Sequence, residues 1–333
     1  MTDENAESPR TEGPRSYVEE NAELARGFTN APVAGALFAA NLGVFLAQIW
    51  LTRDPTYLWR SFPDQLMRHL GANSSLWTVG DSRIETLVTS CFLHGSIIHL
   101  AMNMFLLWQI GPLLERAIGS ARFFPLYLLT GVAASATSAI WGRFFGQTTS
   151  FGASGALCGV VAATLVVAVR TDGWKSELTV HMARWLGIII VIGLIRRLVP
   201  ATSQIDNAAH FGGAISGAVI AIAWERGYAY SQSVSRAIIA GCVALVVASS
   251  LVVYVRNQND PYAFLDVSAR VDAAKRARYR GDCAQARELI QRALQLDPSN
   301  HQLWADAERI DIDCEDPAQG RARPSSPIDR GSH

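Results

Sequence analysis

The chain is short of charge. Only 17% of its 333 residues are Asp, Glu, Lys or Arg, against about 25% in an ordinary soluble domain. The 29 acids and 29 bases cancel, so there is no basic field of the kind that draws a protein to nucleic acid. Cysteine is scarce too. Cys91, Cys158, Cys242, Cys283 and Cys314 form no CxxC pair and no zinc-type spacing, which excludes a metal knuckle and a dense disulfide framework. The first thirty residues are acidic and lack the apolar stretch of a secretory signal.

The charge that is present is unevenly placed. Residues 1–30 carry 7 acids and 3 bases, residues 31–256 carry 9 acids and 15 bases in 226 positions, and residues 257–333 return to 13 acids and 11 bases. A long, weakly charged middle between two polar ends excludes a soluble enzyme and a disordered chain alike. A helix needs about 20 mostly apolar residues to cross a bilayer. Windows of that kind fall at 31–51, between Glu85 and Glu115, between Arg122 and Arg143, at 144–169, at 178–199, at 207–224 and at 237–255. Seven spans are expected, with Arg184, Arg196 and Arg197 placed to snorkel from the ends of the fifth. The bias of Lys and Arg between alternate loops favours a cytoplasmic N-terminus, and seven crossings then leave the C-terminus outside. The loop over about 52–85 carries Trp59, Phe62, Leu66, Met67, Leu70 and Trp77, which reads as packing into the outer membrane face.

Ionisable and amide groups inside a bilayer are costly and by default point to function. The second window holds three: His94, His99 and Asn103. His99 and Asn103 are four apart and share a helix face; hydrogen bonding between helices is the structural alternative. The fourth window opens Thr149-Ser150-Phe151-Gly152-Ala153-Ser154-Gly155, too rich in glycine and hydroxyls for a lipid-facing helix. Non-helical backbone at that depth belongs inside protein or beside water. A helix over 154–169 would be about 24 Å long, which places Ser154 below the outer surface; the alternative for this serine is an N-cap. His210 precedes Gly213 and Gly217, and Ser154 precedes Gly155 and Gly159. Faces of small residues at four-residue spacing let helices approach closely. Pairing these two would bring Ser154 to His210.

In order along the chain stand His94-Gly-Ser-Ile-Ile-His99 with Asn103, then Gly111-xxx-Glu115-xxx-Gly119, then Gly152-Ala153-Ser154-Gly155, then Ala209-His210-xx-Gly213-xxx-Gly217. Over about residues 33–225 this ordered set resembles the rhomboid intramembrane serine proteases. The resemblance implies an all-α, six-helix membrane core, here followed by a seventh helix. It implies Ser154 as nucleophile and His210 as general base, a dyad without an acid. It also implies an oxyanion hole from His99, Asn103 and the Ser154 backbone N–H, with His94 holding the first loop and Glu115 packing helices on the cytoplasmic side. Gly152, Gly155, Cys158, Gly213 and Gly217 would support the site. Neither a metal nor a cofactor is implied, and the partners would be the lipid bilayer and single-span membrane proteins as substrates. Two positions depart from the family pattern. Glu85-Thr86 stand where Trp-Arg is common, and Cys158 stands where an aromatic ring usually follows the serine by four.

The expected organisation is an acidic flexible tail (1–30), the six-helix core (31–225), a seventh transmembrane helix (236–256), a helical segment (262–316) and a disordered tail (317–333). Gly281-Asp282, Ala286, Ala293-Leu294 and Leu296-Asp297-Pro298 resemble the second half of a tetratricopeptide repeat, a unit that takes a peptide or protein partner in some settings. Cys283 opens one expected helix and Cys314 ends the next, so a disulfide between them is permissible if this region lies outside. Two other functions compete with the protease. A catalytically silent membrane-protein binder has no need of Ser154 and His210, and a transporter would show internal symmetry between halves, which the sequence lacks.

Overall fold

The computed structural model describes residues 27–315 apart from 53, 63, 146–148, 199–205, 225–229, 260–266 and 297–299. The acidic tail, most of which precedes residue 27, and the tail 317–333 lie outside the described residues, as does Asp297-Pro298. In chain order the elements are α1 (Pro32–Thr52), α2 (Asp64–His69), β1 (Asn73–Ser74), α3 (Thr86–Thr89), α4 (Ile97–Ile118), α5 (Ser120–Phe145), β2 (Thr149–Ser150) and α6 (Ser154–Asp172). Then follow α7 (Glu177–Leu198), α8 (Asn207–Ala223), α9 (Gln232–Asn259), α10 (Val267–Tyr279), α11 (Cys283–Leu296) and α12 (His301–Glu315).

The chain is a predominantly helical, multi-pass membrane protein. Among the described helices, α1, α4, α5, α6 and α9 are long and apolar enough to cross a membrane, and α8 is a shorter apolar helix. Helix α7 stands at the fifth expected window but is not among those five. It carries Glu177, Arg184, Arg196 and Arg197 within its 22 residues.

The centre is α6. Every residue from Gly155 to Thr164 is buried, as expected of a helix that is apolar all round. It packs against α8 and α5, with α4 and α7 also touching it. Helix contact between α6 and α8 is set by their glycines. A Cβ on Gly213 would lie 2.0 Å from the Gly155 carbonyl oxygen, and one on Gly217 would lie 2.1 Å from that of Gly159. Lipid tails are as apolar as leucine, so helices in a membrane gain from backbone proximity rather than from the hydrophobic effect. Glu115, near the end of α4, is buried. Its carboxylate accepts from the backbone N–H groups of Val33 (3.0 Å) and Ala34 (2.7 Å) and from the Ser120 hydroxyl (2.6 Å). It satisfies orphan donors of the first turn of α1, where a negative charge is also favoured by the helix dipole.

Two expectations need correction. The second window is not one helix from Glu85: residues 86–92 form short separate turns, and α4 begins only at Ile97, where Ser96 caps it by accepting from His99 N at 3.3 Å. His94 therefore lies on the approach to the helix and not on it. Helix α6 runs three residues past 169, to Asp172, giving about 28 Å. In the first loop Phe62, Met67 and Trp77 are buried, and Trp59 is 82% exposed, as a side chain facing lipid would be.

That loop is tied down from two directions. Its β1 pairs antiparallel with β2, which leads into Ser154. From the other side comes α9: Arg256 lies 3.5 Å from the buried Glu85 carboxylate, Arg83 lies 3.8 Å from it, and Asn257 donates to the His69 carbonyl at 2.5 Å. Thr86 Oγ1 bonds Thr78 Oγ1 (2.7 Å) and donates to the Arg83 carbonyl (2.7 Å). Glu85-Thr86 thus anchor the loop through the helix that follows the core.

Helices α10–α12 form a unit with its own core of Ala274, Ala277, Ala286, Leu289, Ile290 and neighbours. Cys283 and Cys314 are disulfide-bonded, with Cα atoms 5.7 Å apart. The buried Arg270 reaches out of this unit to Asp81 of the first loop at 3.0 Å.

Candidate active site

Helix α6 starts at Ser154, and the residue in the cap position is Ala153, whose side chain bonds nothing. Ser154 is thus the first helical residue and not the cap, so its hydroxyl is free for another partner. That partner is His210: the Ser154 Oγ lies 2.9 Å from His210 Nε2. The pair is held by the glycine contact between α6 and α8 described above: Gly155 follows Ser154 directly and Gly213 lies about one turn after His210. His210 Nδ1 is buried and has no hydrogen-bond partner among the described residues, so no carboxylate completes a triad on the ring. For Ser154 to donate to Nε2, the imidazole proton sits on Nδ1.

The other polar groups close the site from α4. Gly152 has φ +122°, a conformation that disfavours any side chain. A Cβ there would come within 2.7 Å of the His99 ring and 3.7 Å of Asn103 Nδ2. The turn before Ser154 therefore lies directly against His99 and Asn103. Its register is fixed by Gly152 N–H, which donates to the Ser90 carbonyl at 2.9 Å. Asn103 Nδ2 donates one hydrogen to the His99 carbonyl at 3.1 Å, which leaves its second N–H available. With no side-chain cap at Ala153, the first backbone N–H groups of α6 also lack a capping partner.

His94 is fully buried, and its ring meets the His99 ring edge-on at 5.2 Å. Its backbone is gripped by a residue that sequence reading passed over. Gln48, near the C-terminal end of α1, donates to the His94 carbonyl (3.0 Å) and accepts from the His94 N–H (3.2 Å). A glutamine in a largely apolar span was the available signal. Phe151 was also missed: its ring lies 6.1 Å from that of His99 and would be 2.8 Å from a Cβ at Gly95. Cys158 is a free thiol, 1% exposed, packed within the most buried stretch of α6. Among the described residues no cluster of His, Cys, Asp and Glu could hold a metal ion.

Residues 69–226 match the rhomboid domain. The chain is similar to the rhomboid protease GluP of Bacillus subtilis (strain 168), with 39% identity over 133 residues, which is 39% of this chain and 24% of that protein. It is similar to the rhomboid protease AarA of Providencia stuartii, 33% identical over 154 residues covering 40% of this chain and 54% of that one. RHOMBOID-like protein 12, mitochondrial, of Arabidopsis thaliana is 29% identical over 216 residues, 60% of each chain. The aligned stretch spans less than two thirds of each of these relatives. Together, the domain match and relatives named as rhomboid proteases support a place for this chain in the rhomboid family.

Proposed function

We propose that this chain is an intramembrane serine endopeptidase that cuts transmembrane segments of other membrane proteins through Ser154 and His210. The observation that carries the reading is the 2.9 Å contact between Ser154 Oγ and His210 Nε2, set where two helices meet glycine to glycine. Serine is a weak nucleophile unless a base accepts its proton during attack, and Nε2 is within the distance that general-base catalysis requires. As the hydroxyl oxygen bonds the scissile carbonyl carbon, its proton passes to Nε2 and negative charge develops on the carbonyl oxygen. Asn103 Nδ2, the His99 ring and the Ser154 backbone N–H are the donors for that charge. Each such donor is worth about 3–4 kcal/mol in a water-poor site. Collapse of the intermediate expels the amine, which takes the proton from His210, and water then cleaves the acyl-enzyme by the same exchange.

A peptide bond within a helix has its groups internally bonded. The substrate class is therefore a single-span protein whose segment is helix-weakened where it meets Ser154. Under this proposal the N-terminus is cytoplasmic and residues 267–315 are extracytoplasmic, where a Cys283–Cys314 bond persists. We read that unit as a tetratricopeptide-like appendage for a protein partner. The test is reconstitution in liposomes with a single-span substrate carrying a glycine-rich segment. The wild type should cut it and Ser154→Ala should not, while a silent binder would hold the substrate intact in both.

A further inference from the structure

We infer that Asp206 is a positioning residue for His210, holding the base through the helix that carries it; the inference rests on the serine-protease reading above. In the family pattern, an aromatic ring four residues after the serine would steady the histidine, and this chain has Cys158 there. The His210 ring itself makes one hydrogen bond, to Ser154, and its Nδ1 has none among the described residues. With one hydrogen bond on the ring, its distance from Ser154 depends on where the backbone that carries it is held.

Asp206 supplies that fixing. It is the N-cap of α8, one turn before His210. Its Oδ1 accepts from the Ala209 N–H at 3.0 Å, and its backbone carbonyl accepts from the His210 N–H at 3.2 Å. Its second oxygen, Oδ2, accepts from the Ser138 hydroxyl on α5. One carboxylate thus closes the first turn of α8 and bolts that turn to a neighbouring helix. Close packing locks the same corner. A Cβ on Gly212 would lie 2.3 Å from Thr137 Oγ1, and one on Gly213 would lie 2.0 Å from the Gly155 oxygen. Asp206 makes no hydrogen bond to the His210 ring, so it acts through the backbone. It is not a triad acid.

The two acceptor oxygens define the test. Asparagine keeps both contacts, since its carbonyl can cap the Ala209 N–H while its amide donates to Ser138 Oγ, and it is as good an N-cap as aspartate. Alanine keeps neither. A displacement of about 1 Å at a reacting group can cost about 10²-fold. Cleavage of the single-span substrate should therefore show kcat lowered at least tenfold in Asp206→Ala with KM unchanged, kcat within about threefold of wild type in Asp206→Asn, and an intermediate loss in Ser138→Ala. Thermal unfolding in detergent is followed alongside to give the folded fraction. A kcat within twofold of wild type in Asp206→Ala would overturn the inference, and so would an Asn variant as impaired as the Ala variant. If Asp206→Ala does not fold, Ser138→Ala decides: reduced kcat at unchanged KM supports the tie, and wild-type kcat removes it. Ser154→Ala in the same assay separates the two claims. Activity surviving there defeats the serine reading itself, whereas a dead Ser154→Ala beside a fully active Asp206→Ala defeats only the positioning role.

Discussion

The membrane half and the C-terminal unit hold together by different means. In the membrane half cohesion comes from backbone proximity, with glycine facing carbonyl between α6 and α8, and from a few polar side chains that each make more than one hydrogen bond, such as Glu115, Gln48 and Asp206. In α10–α12 it comes from an alanine and leucine core, a disulfide, and ion pairs including Lys275–Asp306 and Arg287–Asp311. The difference follows from the solvent. Water drives apolar side chains together, whereas lipid does not. Partly exposed ion pairs in water contribute little, about 0–1 kcal/mol each, so in the C-terminal unit charge carries little information about function. In the membrane half every buried polar group carries a desolvation cost, and several of the polar groups found there, His99, Asn103 and His210 among them, lie around Ser154 and the turn before it.

On that contrast, removing polar groups from the membrane half should abolish chemistry, while comparable changes in the C-terminal unit should alter stability alone. The largest effect is expected at the dyad. Ser154→Ala and His210→Ala should each lower kcat on the order of 10⁴-fold or more, and the double variant should be no worse than either single one; measured turnover in liposomes checks this. Next is Asn103→Ala, with a loss of about 10²-fold in kcat and little change in KM, because an oxyanion donor acts mainly in the transition state. Unchanged kcat with weakened binding would make Asn103 a purely structural group.

Glycine substitutions should separate the helices by environment. Gly213→Ala forces a methyl group against the Gly155 carbonyl and should cost about 1–3 kcal/mol, read as a lowered unfolding midpoint in detergent. Gly241→Ala on α9 meets nothing within 4 Å and should be neutral or slightly stabilising. The smallest effect on activity is expected at the disulfide. Cys283→Ser opens a 31-residue link worth on the order of 3–4 kcal/mol to the C-terminal unit. Hydrogen exchange should show lost protection in α11 and α12, while turnover stays within about twofold. A large loss of turnover would mean that this unit controls the site through the Arg270–Asp81 pair.

Much of this was legible in the sequence because lipid makes polar residues conspicuous. His99, Asn103, Ser154 and His210 stood out as groups that a span does not need, and the two glycine faces indicated which helices meet. What escaped was local. Nothing in the spacing of His94 and His99 said that a helix would begin between them; that depends on Ser96 as a cap and on Gln48 gripping the His94 backbone from a helix 46 residues away. Glu115 was read as a packing group, but its place beneath the first turn of α1 required knowing which helix start came near. Glu85-Thr86 looked like a missing anchor for the first loop. Its partner, Arg256, lies just past the seventh apolar window, and pairing across 171 residues is invisible to periodicity. Asp206 was read over for the same reason, since a cap is local but its second contact, to Ser138, is not.

The central claim is that Ser154 is a nucleophile made reactive by His210. A fluorophosphonate carrying a reporter group tests it directly, applied to the full-length protein in native membranes and followed by mapping of the labelled peptide. The account predicts a single labelled site at Ser154, absent in Ser154→Ala and strongly reduced in His210→Ala. Label that persists in Ser154→Ala, or a Ser154 that reacts equally well without His210, would contradict it.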